Sequence, residues 1–520
     1  MKGEIVKDLL KKGFLVDPGF TQIISNENFS SIPLVDIILR LNPPKMISKD
    51  FFLNNIPKII NELDSLNLNE DTFSKTSNYL LTFIEKEPKL EIKKEEREKL
   101  EEEISKRRIH VTEIMEPKIK KIEVKDFVKV FRDRFLTIKN FIQEHDINGL
   151  TSIGKISNNK RFLSIIGLVR AKRITKNKNL LLTLEDLTGK INVVIHHDKT
   201  ELFEKGKNVV LDEVIAVKGA GSSDIIFAND IIFPDIAAKE KKRSDKEEYV
   251  AFTSDIHVGS DKFLEQNFSK FIDWLNGKIG SEKQREFALK TKYLFIVGDT
   301  VDGVGVYPKQ EKELIIKDIR EQYKKLAHYL NKIRKDVTII ICPGGKHDAV
   351  RLIEPQPKIP KEIAPDLYEI KNLILTTNPS IVRISQSESF PGFNVLMYHG
   401  DSYDYYADSV DPLRQNNAKL RPDMIIHFLL KKRHLAPTHT STTYYPGEQD
   451  YLVIRKIPDI FVSGHIHKSA ISSYNNILTI SCSCWQSKTA YQEKFGHEPD
   501  PCKVPILNLK TGKVNMLDFS

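Results

Sequence analysis

Eight acidic and imidazole side chains, Asp255, His257, Asp299, His347, Asp348, His399, His465 and His467, fall in five short segments of a 520-residue chain. In YVAFTSDIHVGS, TKYLFIVGDTVDG, VTIIICPGGKHD, FNVLMYHGDS and DIFVSGHIH an apolar run passes into a turn that carries the polar group. Such runs read as buried strands. If the strands share one sheet, their carboxyl ends converge in the crevice where open α/β sheets bind ligands. Asp255 and His257 are two residues apart, so in extended chain they face the same side and can hold one ion together, and His465 with His467 repeats the spacing. Gly298, Gly400 and Gly464, beside these residues, let the backbone turn sharply and approach an ion closely.

Mixed carboxylate and imidazole donors suit Mn²⁺, Fe or Zn²⁺ better than Ca²⁺. The expectation is two divalent ions, Mn²⁺ first, with Fe, Zn²⁺ and Mg²⁺ as alternatives. Two ions about 3.5 to 4 Å apart activate a water, hold phosphoryl oxygens and stabilise a leaving oxygen, so the chemistry implied is hydrolysis of a phosphate ester. Asp299 is the candidate bridging carboxylate, and His347 the candidate to protonate the leaving alkoxide or stabilise its charge. A single aspartate or histidine of this kind is usually a cap or a satisfied core group. Five segments in order, each with its polar group at a strand end, point to one centre. His427, His434 and His439, in HFLLKKRHLAPTH, lack that context and read as surface or substrate-groove residues.

The elements that position these residues form an α/β layered domain expected over 248–520. Ahead of it, over 151–240, short alternating runs such as SIIGLVRAKRI and LLLTLEDLTGKINVVI predict a small β-barrel of four or five strands. Arg170, Lys172, Arg173, Lys176 and Lys178 cluster around one of its turns, where they can reach phosphates. Phe203 and Phe227 are the few aromatics there for base stacking, so sequence-specific reading is not expected. A protein-docking role for the barrel is the competing interpretation. Phe127, Val130, Phe131, Phe135 and Ile138 mark the buried face of a helix within 126–150. Residues 86–125 read as a charged linker. Residues 1–85, with Ile32, Leu34, Val35, Ile37, Ile38 and Leu41 ahead of Pro43-Pro44, read as a helical domain.

Composition narrows the class. No stretch approaches the ~18 uncharged apolar residues of a membrane helix, and the N-terminus lacks a signal-peptide core, so a cytoplasmic, nucleoid-associated protein without a membrane partner is expected. Four cysteines are too few for a disulfide scaffold. The formal net charge of +9 permits a nucleic-acid partner without requiring one.

The motifs D-x-H, G-D-x-x-D-G, G-x-H-D, H-G and G-H-x-H, in that order, resemble the calcineurin-like metallophosphoesterase superfamily. DIHVGS, GDTVDGVGVYP, KHDAVRLIEPQP and PDPCKVPILNLKTG look more closely like the small subunit of archaeal family D DNA polymerase, in which an oligonucleotide-binding (OB-fold) barrel precedes the phosphoesterase domain. The resemblance implies a multidomain α/β protein with a helical N-terminal domain, an OB-fold barrel and a C-terminal metallophosphoesterase α/β sandwich. It implies that Asp255, His257, Asp299 and His467 hold one ion, that Asp299, His399 and His465 hold the other, and that His347 is the catalytic histidine. It implies a 3′ to 5′ proofreading exonuclease working with a large catalytic polymerase subunit, on single-stranded or primer-template DNA and with a sliding clamp as a further partner.

One position departs from the family pattern. Where the family has P-G-N-H-D, whose Asn ligates the second ion, this chain has Pro343-Gly344-Gly345-Lys346-His347-Asp348, one residue longer and with Lys346 in place of Asn. An ammonium has no lone pair and repels a divalent ion, so a retained but weakened second site is expected. Lys346 either swings toward a DNA phosphate or stands in for the cation, or the longer loop supplies a carbonyl. The competing functions are a catalytically inactive scaffold, resembling the B-subunits of eukaryotic replicative polymerases, and a protein or small-molecule phosphatase, which leaves the barrel unexplained.

Overall fold

The computed structural model describes residues 4–25, 29, 32–65, 76, 79–80, 109–113, 121–157, 160–238, 240–387, 389–489, 492–493 and 498–520. The chain divides into two compact units, one made of Met1–His110 with Ser385–Gly392 and the other of Val111–Ile384 with Phe393–Ser520.

The first unit is helical. Helices Glu4–Lys11, Pro18–Ile24, Leu34–Arg40, Lys49–Asn54 and Ile56–Ser65 alternate with two-residue strands Leu15–Val16 and Met46–Ile47, which pair in parallel. Phe20, Ile37, Ile38, Phe52, Ile59 and Leu63 form its core. The Asp17 carboxylate accepts from the backbone N–H groups of both Gly19 and Lys49, so one side chain caps the start of two helices. Much of the expected charged linker lies outside the described residues. Within its range His110–Glu113 is a strand, and the helix that follows starts at Val124.

The second unit opens with helix Val124–Gln143, whose N-terminus is closed by a reciprocal capping box between Glu123 and Asp126. A closed five-stranded barrel follows, from Lys160–Ile174, Leu180–Asp186, Gly189–Ile195, Val214–Gly221 and Ile225–Ile232. The first strand spans 15 residues and pairs with two neighbours, its register shifting between Val169 and Ala171, so one bent strand closes both sides of the barrel. Leu180, Leu182 and Leu184 alternate inward against Val193, Ile215 and Ile226.

Two mixed six-stranded sheets complete the unit. One has the order Leu373–Leu375, Thr338–Cys342, Thr291–Val297, Tyr249–Thr253, Lys503–Asn508, Val514–Asp518. The other has the order Ala470–Tyr474, Ile477–Ser481, Ile460–Ser463, Phe393–Met397, Ser380–Ile384, His110–Glu113. Tyr249–Thr253, Thr291–Val297 and Thr338–Cys342 run parallel, as do Phe393–Met397 and Ile460–Ser463. These strands are buried almost throughout, which accounts for their unbroken apolar runs. Phe268, Phe271, Trp274, Tyr323 and Leu326 cover the first sheet; Tyr403, Tyr406, Ile425, Ile426 and Leu429 cover the second.

Buried ion pairs fasten the barrel to the sheets. Arg134, 0% exposed, donates through Nε to Asp450 at 2.6 Å, and through a terminal nitrogen to the carbonyl of Asp212 beside the barrel at 3.1 Å and to that of Pro437. Lys432 pairs with Glu213 at 2.7 Å and donates to the carbonyl of Asn208 at 2.7 Å. Burial drives the Lys432 ammonium down to about 8 even with Glu213 opposing it. Charges this deep are tolerated only when paired, and both are, although one terminal nitrogen of Arg134 has no hydrogen-bond partner.

Candidate metal centre

A common offset builds the centre. Strands ending at Thr253, Val297, Met397 and Ser463 place Asp255, Asp299, His399 and His465 two residues past the strand end. Because the strands within each sheet run parallel and in register, these positions come together. The two sheets meet at these ends: His399 Nδ1 donates to the Val297 carbonyl at 2.9 Å, and Gly464 passes so close to Ser254 and Asp255 that a Cβ there would lie 2.5 Å from an Asp255 oxygen.

Four overlapping groups of donor atoms lie within 4.8 Å: Asp255–His257–His467, His257–Asp299–His347, Asp255–Asp299–His399, and His399–Asp401–His465. Of the eight residues expected at the centre, all but Asp348 are present in them, and Asp299 and His399 link the two ends. Asp255 and His257 are not in extended chain, contrary to the expectation from their spacing. Asp255, His257, Asp299, His465 and His467 all have left-handed backbones, with φ of 50°, 53°, 48°, 72° and 57°. Such a conformation costs on the order of 1–3 kcal/mol for each non-glycine residue and persists where surrounding structure enforces it. Concentrated at one centre, it marks a place where side-chain direction outweighs backbone comfort.

The imidazoles are oriented from behind. His257 Nδ1 donates to the buried Asp302 carboxylate at 3.0 Å, which Gln310 and Gln486 also hold, so His257 Nε2 is turned inward. His467 Nδ1 is hydrogen-bonded to the Gln492 amide at 2.8 Å, and its Nε2 lies 3.2 Å from both Asp255 and His257 Nε2. His347 Nδ1 donates to the Asp302 carbonyl at 2.7 Å, leaving Nε2 as the free nitrogen. Asp348 stays out of the donor set. Its carboxylate accepts from Thr300 and, at 2.7 Å, from the N–H of Gly344, and so ties the two ligand loops together.

Burial pushes Asp299 up, but His399 and His347 outweigh it and hold the carboxyl well below the usual range. Asp255 is held low in the same way, burial being overcome chiefly by His467. Conversely, burial opposes charge on His399 while Asp299 raises it well above an ordinary imidazole.

At the centre the buried Asp299 Oδ1 has no hydrogen-bond partner, and the buried His399 Nε2 makes no hydrogen bond although it lies 3.3 Å from Asp299 Oδ2. Leaving such groups unsatisfied costs about 1–3 kcal/mol each. Both are lone-pair donors facing the cluster, and the carboxylate–imidazole set with its supporting hydrogen bonds is the donor chemistry of a divalent metal centre. The residues therefore fit the ions expected.

Other expected residues divide sharply. Lys346 is exposed and has no partner among the described residues, while the adjacent Gly345 is the residue whose Cβ would face Gln356 and Asp401, at 2.8 and 3.8 Å. On the barrel, Arg173, Lys176 and Lys178 are exposed, and Arg170 is held by Glu185 at 2.9 Å. Lys172 is not a free cation: its ammonium donates to the carbonyls of Lys207 and Val209 at 2.8 and 2.7 Å. His434 is a fully buried structural residue 3.0 Å from Asp450 rather than a surface or groove residue. Asp401, Asp302 and Gln356 were missed. Two of them carried a signal: Asp302 is the second acid of G-D-x-x-D-G, and His399-Gly400-Asp401 repeats the two-residue spacing of Asp255-Ile256-His257.

The fold and the centre define an α/β protein with a β-barrel and a buried carboxylate–imidazole cluster of metal-ligand character. Residues 250–472 match the B-subunit family of DNA polymerases alpha and epsilon. The chain is 40% identical over 400 residues to the DNA polymerase II small subunit of Methanothermobacter thermautotrophicus, covering 76% of this chain and 80% of that one. The corresponding subunits of Methanocaldococcus jannaschii and Pyrococcus furiosus are 39% and 37% identical over 392 and 407 residues, covering 74% and 77% of this chain and 64% of each of those. The chain belongs to the family of DNA polymerase II small subunits, the small subunits of archaeal family D DNA polymerase. A solved archaeal phosphodiesterase is 13% identical, spans 52% of this chain and 98% of its own, and has a TM-score of 0.26, too slight a likeness to bear on fold or site.

Proposed function

We propose that this small subunit is a metal-dependent 3′ to 5′ exonuclease acting on DNA beside the large catalytic subunit of the polymerase. The observation that carries the reading is the chain of four overlapping donor groups, two of which share Asp299, with the buried Asp299 Oδ1 and His399 Nε2 making no hydrogen bond. Asp255, His257, Asp299 and His467 would hold one divalent ion, Mn²⁺ by preference, and Asp299, His399 and His465 the other. Two such ions, when bound, activate a water and neutralise charge on the phosphoryl oxygens.

The chain's own groups account for the remaining requirements. His347, half-buried at the edge of the cluster, keeps its proton on Nδ1 through the Asp302 carbonyl. Its Nε2 is left to carry a second proton and deliver it to the departing oxygen. Asp302, Gln310 and Gln486 hold the His257 ring in one tautomer and one orientation. Arg173, Lys176 and Lys178 offer the barrel's free cations to the phosphates of a strand, without base reading.

The test is digestion of a 3′-labelled single strand by the full chain with Mn²⁺. Release of label by the wild type and its loss in His347→Ala are expected. No metal-dependent release by the wild type, alone or with its large subunit, refutes the proposal.

A further inference from the structure

We propose that Asp401 is a ligand of the second divalent ion, occupying with His399, His465 and Asp299 the place left by Gly344, Gly345 and Lys346, which offer that ion no donor side chain. The inference rests on the two-ion reading above.

The missing donor is visible in the loop after Thr338–Cys342. Here the position two past the strand end, an acid or imidazole in the four other strands, is Gly344, and a Cβ there would lie 2.2 Å from Asp299 Oδ1. No side chain fits. The next residue, Gly345, with φ of 81°, directs its hydrogen toward Gln356 and Asp401, and Lys346 points to solvent. Residues 344–346 therefore bring backbone to the centre but no side-chain lone pair, and the next donor along the loop is His347, which faces His257 and Asp299.

Asp401 is placed to supply one. Its carboxylate shares a 4.8 Å sphere with donor atoms of His399 and His465. The Gln356 amide donates to Asp401 Oδ2 at 2.8 Å, which leaves Oδ1 for the ion. Gln356 is fixed in turn by Asn378, whose amide donates to Gln356 Oε1 at 2.8 Å, while Asn378 Oδ1 accepts from the His399 N–H at 2.9 Å. One pair of buried amides thus sets the position of Asp401 against that of His399. His399 Nε2, on a side chain with 0% exposure, makes no hydrogen bond and has only the Asp299 carboxylate beside it, at 3.3 Å, which is the second observation pointing to an ion between them. His465 Nε2 lies 3.2 Å from Asp404, so Nδ1 is the nitrogen left for ligation. Orientation of ligands by outer hydrogen bonds is what a metal site requires.

Charge supports the exchange. A carboxylate here adds a negative charge close to the ion, whereas a neutral amide would not. A hard oxygen donor in place of a neutral one also favours Mn²⁺ or Mg²⁺ over softer ions.

The test is Mn²⁺ titration of the metal-free full chain, reading free Mn²⁺ by electron paramagnetic resonance, with circular dichroism as the check on folding. The wild type is expected to bind two ions. Asp401→Ala is expected to keep the first and to bind the second at least about tenfold more weakly. Asp401→Asn, which preserves shape and one oxygen, is expected to fall between them and decides the matter should Asp401→Ala misfold. Two ions in the wild type with unchanged second-site affinity in Asp401→Asn and Asp401→Ala would overturn the assignment alone. Fewer than two ions in the wild type would overturn the two-ion reading and this inference with it.

Discussion

Replacing Arg134 by methionine tests whether helix, barrel and sheets are held as one unit by a buried charge. The side chain is 0% exposed and its Asp450 partner 2%, at 2.6 Å, and the same guanidinium donates to the Asp212 and Pro437 carbonyls. Methionine is apolar and of similar length, but it removes the guanidinium that stacks over the Phe131 ring at 5.0 Å and leaves the Asp450 carboxylate buried without it. Breaking a buried pair from one side costs about 3–5 kcal/mol, a large part of the roughly 5–15 kcal/mol that stabilises a typical fold. Burial pushes Asp450 up, but Arg134 and His434 outweigh it and hold the carboxyl far below its unfolded value. A depressed carboxyl contributes stability that is fully present above the unfolded pKa, about 3.9, and is lost as pH falls toward the folded one. The gap between wild type and Arg134→Met is therefore full at neutral pH and narrows below about pH 4. Urea unfolding read by tryptophan fluorescence suits the measurement, because Trp274 and Trp485 both lie in the core of the first sheet. A loss below about 1 kcal/mol at neutral pH, the size of a surface pair, or a gap that widens on acidification, refutes the reasoning.

His347→Ala is expected to lower the rate of label release by about 10²- to 10⁴-fold while two Mn²⁺ ions still bind, as calorimetry would show; loss of an ion would instead make His347 a ligand. Gly344→Ala drives a methyl group to 2.2 Å from Asp299 Oδ1, so Mn²⁺ binding is expected to fail in a chain with wild-type circular dichroism. Replacing Arg173, Lys176 and Lys178 together by alanine should reduce the salt slope of single-strand binding by about 2, at roughly 0.7 per phosphate contact. Lys172→Ala should leave that slope unchanged and lower thermal stability, since it removes a donor from two carbonyls.

Much of the centre is legible in the sequence because fully buried parallel strands leave a plain mark. Tyr249–Thr253 and Ile460–Ser463 are largely apolar runs, and the Asp or His two residues past each is conspicuous. What spacing does not reveal is backbone handedness. Asp255 and His257 share a donor group, yet through left-handed turns rather than the extended chain that alternation suggests. Partners from distant segments are likewise invisible, as with Asp302 behind His257 and Gln356 behind Asp401. Charge alone also misleads. Lys172 has the sequence context of a phosphate contact and is spent on two barrel carbonyls, and His434, in a basic stretch, is buried against Asp450. The family match explains why a polymerase subunit carries this arrangement only in part, since the match assigns the subunit and the chemistry follows from the donor set.

The most direct measurement is release of a 3′-terminal nucleotide by the metal-free full chain as Mn²⁺ is added back stepwise. No release without metal is expected, with activity rising as the second equivalent is taken up and absent throughout in Asp299→Asn. Release independent of metal, or none once two ions are bound, contradicts the account.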